Sequence, residues 1–116
     1  MMQKDDNFKR MTAKQFLEEV RNFEETIYQI QMTNRFKKSV DLSYWQNFDL
    51  ALLKDVVHKL AKGEKLDPKY RTHTLEGYKT VIWECHVKPD WLLLWQIIHD
   101  ELILILVDTG THSDLF

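Results

Sequence analysis

Three apolar runs in the last third of the chain leave little freedom in what it can fold into. Val81 to Val87, Trp91 to Ile98 and Leu102 to Val107 each have the length and composition of a strand. The middle run is apolar almost throughout, as suits a central strand covered on both faces. The turns between the runs lie at Lys88-Pro89, just before Asp90, and at His99-Asp100-Glu101. Connections this short join antiparallel neighbours, because a parallel pair needs a long crossover.

Helical patterning precedes the strands. Thr12-Ala13-Lys14-Gln15 has the form of a capping box, and Phe16, Val20, Phe23 and Ile27 follow at spacings of four, three and four. This predicts an amphipathic helix ending near Thr26. Tyr28, Ile30 and Met32 alternate with polar residues, the period of a half-buried strand. Asn34 to Lys38 reads as a basic helical turn, and the pattern is indistinct from there through Trp45. A second helix is predicted from about Phe48 to Lys62, with Asn47 or Asp49 as its cap. Leu52, Leu53, Val56, Val57 and Leu60 form its apolar face, and Gly63 is its stop signal. Gly63 to Gly77, containing Asp67-Pro68, reads as a polar loop, and residues 1–11 are expected to be frayed.

The predicted fold class is therefore α+β: an antiparallel sheet of about four strands, helices on one face, and an extra helix at the front. Residues 1–26 form an N-terminal extension and residues 27–116 the main domain. The front helix needs a partner for its apolar stripe. It either extends the core or covers a groove that a binding partner's helix would otherwise fill.

Composition narrows the function classes. A net charge of -2 argues against a broadly basic nucleic-acid surface, so any phosphate binding must use a local patch. Cys85 is the sole cysteine, which rules out an intrachain disulfide and suits a reducing compartment. With no membrane-length apolar run and no apolar segment near Met1, a cytoplasmic, non-membrane protein is expected.

Chemistry-bearing residues collect near the strand ends. His73, His86 and Asp90, and then His112 in the tail, supply three imidazoles and a carboxylate. Imidazole changes charge near neutral pH, so the set suits proton transfer. Blander readings exist for each. His73 could be solvated, His86 could be a strand-end hydrogen-bonding group, and Asp90 could close a turn. His58 shares four-residue spacing with Lys54 and Lys62, a solvated helix face, and His99 lies in a turn. Strand pattern alone places Trp91 and Trp95 in the core, and Cys85 reads as a small buried apolar residue. The four residue types also suit zinc, but their spacings match no metal signature.

The order of these segments resembles the YafQ branch of the RelE/ParE toxin superfamily. The resemblance spans about Tyr28 to Phe116 and is carried by four motifs. These are Leu66-Asp67-Pro68-Lys69-Tyr70-Arg71-Thr72-His73-Thr74-Leu75, Glu84-Cys85-His86-Val87-Lys88-Pro89-Asp90-Trp91-Leu92-Leu93, Asp100-Glu101-Leu102-Ile103-Leu104, and Thr109-Gly110-Thr111-His112-Ser113-Asp114-Leu115-Phe116. It implies a RelE-like fold and the toxin of a type II toxin–antitoxin system. Such a toxin cleaves mRNA in the ribosomal A site without metal or cofactor, and forms a hetero-oligomer with a cognate antitoxin. The positions matching functional residues are His73, His86, Asp90, Trp91, His112 and Phe116. On this basis His86, tuned by Asp90, is expected on the base side, His112 as the acid, and His73 near phosphate charge. Trp91 and Phe116 are expected to stack on bases, with Arg71, Lys79 and Lys88 completing the substrate-binding set.

Some positions depart from the family pattern. Asp108 stands where an arginine is usual before the Thr-Gly-Thr-His segment, and Trp83 where an arginine precedes Glu-Cys-His. The basic stretch after the first strand is reduced to Arg35, Lys37 and Lys38. These departures predict a depleted electrostatic set, and an alternative follows: a catalytically weakened toxin-fold protein that mainly binds an antitoxin. A gyrase-directed toxin of the same superfamily ranks last, because it would not need the histidines.

Overall fold

The computed structural model describes residues 10–116; residues 1–9, most of the stretch expected to be frayed, lie outside the described residues. Arg10 and Met11 are not frayed. The Arg10 guanidinium donates to the carbonyls of Tyr44 and Phe48 and lies 4.2 Å over the Tyr44 ring, while Met11 packs against the core.

Helix α1 (Ala13–Arg21) begins with the expected capping box between Thr12 and Gln15. It ends five residues earlier than the periodicity predicts. The chain turns away through Glu25, whose φ is +58°, and Ile27 is left 53% exposed rather than on the apolar stripe. Strand β1 (Gln29–Met32) leads into α2 (Asn34–Trp45), capped by Thr33. The indistinct stretch is thus the rest of this helix. It buries Phe36, Val40 and Ser43, a sparse apolar set, and so gives a weak periodic signal. Helix α3 (Leu50–Ala61) is capped by Asp49, and Gly63 takes up a φ of +77° just past its end.

A short 3₁₀ turn (Pro68–Tyr70) interrupts the polar segment. Strands β2 (His73–Leu75), β3 (Ile82–Lys88), β4 (Trp91–Ile98) and β5 (Ile103–Gly110) follow, and α4 (His112–Leu115) closes the chain. The sheet order is β1-β5-β4-β3-β2. Strand β1 runs parallel to β5, and the other pairs are antiparallel. The sheet therefore has five strands rather than about four. β2 escapes sequence reading because three residues with two exposed side chains carry no alternation.

Phe16 and Val20 of α1, Phe36 and Val40 of α2, and Leu53, Val56 and Val57 of α3 share one core with Cys85, Leu93, Trp95, Leu104 and Leu106 of the sheet. Phe16 is fully buried and its ring lies 6.1 Å from that of Phe36. The front helix thus completes the same core as the rest of the chain. His58 also departs from expectation, because its ring stacks on Phe23 at 4.2 Å instead of facing water. Among the described residues no helix is long and apolar enough to cross a membrane.

Candidate active site

Strand register assembles the site. His73 pairs with Glu84 across β2 and β3, His86 with Leu92 across β3 and β4, and Leu92 with Gly110 across β4 and β5. Asp90 lies two residues before Leu92, and His112 two residues after Gly110. Residues far apart in sequence are thereby drawn to one end of the sheet. A register irregularity between His86 and Lys88 breaks the regular alternation there, as bulges commonly do beside functional sites.

The aromatic rings form a row. Centroids are 6.3 Å apart for His73 and His86, 6.1 Å for His86 and His112, and 6.2 Å for His112 and Phe116. Phe116 is exposed. Gly110 allows the end of the row to form. A Cβ there would sit 3.0 Å from Cβ of Asp114, so a side chain would require α4 to give by a few tenths of an ångström. The turn of α4 is fixed by reciprocal hydrogen bonds between Thr111 and Asp114. The bond from the Thr111 backbone N–H, chiefly, holds the Asp114 carboxyl below the usual range, with smaller help from the Thr111 hydroxyl and Gln46.

Hydrogen bonds assign different roles to the three imidazoles. His86 Nδ1 lies 3.3 Å from the Pro89 carbonyl, which only accepts, so Nδ1 is the donor and, in the neutral ring, Nε2 has the free lone pair. The sequence predicts Asp90 beside His86, but the carboxylate lies elsewhere. Its Oδ1 lies 3.6 Å from Nδ1 of His112, because the Pro89-Asp90 turn aims the carboxylate toward α4. His73 has acceptors at both nitrogens, with the Arg71 carbonyl 2.7 Å from Nδ1 and Glu84 Oε1 2.9 Å from Nε2. A ring with a proton on each nitrogen would donate to both. Arg71 turns its carbonyl into this position from a left-handed backbone conformation, φ +54°.

Glu84 is the residue that sequence reading undervalued. Its side chain is only 6% exposed, while its partner His73 is half exposed. The available signal was a single acid within an apolar strand, a residue type almost never buried unless paired.

Beside the row lies a cavity of about 310 Å³ lined by His86, Lys69, Tyr70, Arg71 and Lys88 among others. It brings together Arg71 and Lys88 of the expected substrate-binding set, and adds Lys69 and Tyr70. Lys79 is exposed in the loop before β3 and does not line this cavity.

Two expectations are overturned. Trp91 cannot stack on a base, since it is fully buried. Its ring stacks on Phe48 at 4.6 Å, and Nε1 donates to Thr109 Oγ1 at 3.0 Å. Nor is Asp108 an open charge at the site. It is 4% exposed, accepts from Ser39 Oγ and the Thr109 N–H, and pairs with Arg35 Nε at 2.8 Å. Its negative charge is compensated by α2. Among the described residues, no three His, Cys, Asp or Glu side chains converge as metal ligands would.

Known proteins share this arrangement of elements. The mRNA interferase toxin YafQ of Escherichia coli K12 is 30% identical over 88 residues, covering 75% of this chain and 94% of that protein. A crystal structure of a metal-bound toxin from Helicobacter pylori has a TM-score of 0.71 at 44% identity, covering 75% of this chain and 97% of that one. The E. coli DinJ–YafQ complex gives 0.70 at 30% identity, covering 77% of this chain and 98% of that one. The family described as the bacterial toxin of type II toxin-antitoxin systems, YafQ, matches residues 28–116. With that span of sequence and the fold in agreement, the chain belongs to the YafQ family of type II toxins.

Proposed function

We propose that this chain is a ribosome-dependent mRNA endoribonuclease that works by histidine general acid–base catalysis and is neutralised by an antitoxin bound to it. The supporting observation is the His73–His86–His112 row beside a cationic cavity. RNA carries its own nucleophile. The 2′-OH attacks the adjacent phosphorus, the P–O2′ bond forms and the P–O5′ bond breaks, leaving a 2′,3′-cyclic phosphate and a 5′-OH. In this reading Nε2 of His86 takes the 2′-OH proton, and His112 returns a proton to the departing 5′ oxygen. The two rings are 6.1 Å apart, near enough to serve oxygens of a single phosphate.

His73, held by Glu84 and the Arg71 carbonyl, lies where it would support the phosphorane's charge alongside Lys69, Arg71 and Lys88. Asp90 orients His112. Phe116 offers an exposed ring beside His112 for a base. The E. coli relative is named an mRNA interferase and is seen in complex with DinJ, which supports both the RNA substrate and a protein partner for this chain.

The weakened-toxin alternative loses part of its basis, because Arg35 compensates Asp108. It keeps the support of Trp83. A ribosome-coupled cleavage assay decides between them. Unsubstituted protein should cut mRNA on the ribosome, and His86→Ala or His112→Ala should lower the rate by about 100–10,000-fold. Cleavage unchanged by both substitutions would remove the acid–base assignment.

A further inference from the structure

A second cavity, of about 580 Å³, opens on the other side of the loop that carries Lys69 and Arg71. Leu60, Leu66, Pro68, Trp83, Trp95 and Ile97 give it an apolar lining. Arg71 lines both cavities, and Thr72 reaches into the second. We propose that the groove beside Trp83 is a nucleobase-stacking subsite for the same RNA strand whose phosphate occupies the Lys69–Arg71–Lys88 cavity. This rests on the ribonuclease reading and extends it to where the neighbouring nucleotide goes.

Three observations identify the occupant. Continuity is the first. One cationic side chain borders both spaces, so a strand held by its phosphate at Arg71 has its adjoining base within reach of the groove. The second is the form of the aromatic wall. The Trp83 ring stacks on Trp95 at 6.4 Å between centroids and 13° between planes. Trp95 is only 2% exposed and Trp83 is half-buried, so a buried indole holds the outer one in place. A ring fixed beforehand loses little entropy when a flat ligand stacks on it. The third is the rim, where Glu64, Lys65, Asp67 and Arg71 carry mixed charge around an apolar floor. A flat, uncharged base fits the apolar floor, with the anionic backbone on Arg71 and away from Glu64 and Asp67. Single-stranded RNA is the form that can supply an unstacked base. The stack is sequence-tolerant, because every base has a π-face.

The test uses the full chain carrying His112→Ala, which binds without cutting, and a short fluorescein-labelled single-stranded RNA followed by anisotropy. In that background Trp83→Ala should weaken binding about fivefold or more, and Trp83→Phe should keep most of it. A set of RNAs with one abasic position each should contain one that binds poorly to the Trp83 protein yet loses nothing further on Trp83→Ala. That coupling distinguishes stacking from a general loss of fold, and Trp83→Phe covers the case in which the alanine variant is unstable. Equal RNA affinity across all three proteins, with no abasic position sensitive to residue 83, overturns the subsite and assigns the groove to protein contact. If His112→Ala still abolishes ribosome-coupled cleavage in that case, the ribonuclease reading stands alone. Absence of both RNA binding and cleavage by the unsubstituted chain overturns the two together.

Discussion

Glu84 Oε1 lies 2.9 Å from Nε2 of His73, and the carboxylate is buried while the imidazole is half exposed. The pair is anchored at its carboxylate end and open to solvent at its imidazole end. His73 is also tied through Nδ1 to the Arg71 carbonyl, so its ring has one orientation. In the proposed role of His73, its replacement by alanine should cost about 100–1000-fold in cleavage rate. Glu84→Gln keeps an acceptor for the ring but loses the charge, and its rate should fall between those of the unsubstituted protein and His73→Ala. Single-turnover cleavage on ribosomes, with affinity measured separately, checks the order.

Asp90 is 74% exposed, and its partner is His112, not His86. Its loss should therefore act on leaving-group protonation and leave the fold intact. Asp90→Ala is expected to lower the cleavage rate less than His112→Ala does, with no added loss when the two are combined. An additive effect would show that the carboxylate works elsewhere.

Arg35 and Asp108 give a prediction opposite to the one the sequence suggested. An arginine at position 108 would be expected to restore favourable charge if the site were open there. The structure shows a buried carboxylate serving Ser39, the Thr109 N–H and Arg35. Asp108→Arg should destabilise the protein without raising cleavage. Arg35→Ala should cost about 1–3 kcal/mol, held to that range because the Arg35 side is 71% exposed to water. Urea unfolding of the two variants measures this.

Burial pushes the Cys85 thiol up from 9.0 to about 12, with a smaller contribution from Glu84. The folded state thus holds this proton more tightly than the unfolded state. The associated stability is complete below about pH 9 and is lost as pH rises from there toward about 12. At pH 8 a thiol reagent should label native protein slowly and denatured protein at once. Rapid labelling of the native form would show that the core opens at this strand.

Phe16 of α1 is fully buried against Phe36. Phe16→Ala should cost about 3–5 kcal/mol, as for other large core rings. A thermal midpoint unchanged by the substitution would mean that the front helix does not contribute to the common core.

The sequence by itself determined the parts governed by local rules. The Thr12–Gln15 capping box and Gly63 past the end of α3 depend on neighbouring residues and are where their patterns put them; Asp49 is the cap of the two candidates, and the three apolar runs are strands, the last reaching Gly110 rather than Val107. The histidines were visible as residue types near strand ends. Their division of labour was not, because it depends on which acceptor each ring nitrogen meets. Only the tertiary structure turned Asp90 toward His112, buried Glu84 beneath His73, and compensated Asp108 with a helix about 70 residues away in sequence. It likewise sealed Trp91 against Phe48 while leaving Trp83 at the mouth of a groove. Side-chain alternation states which residues share a face of a strand. Whether that face meets a helix, a loop or water is settled by elements that come together only when the chain closes on itself.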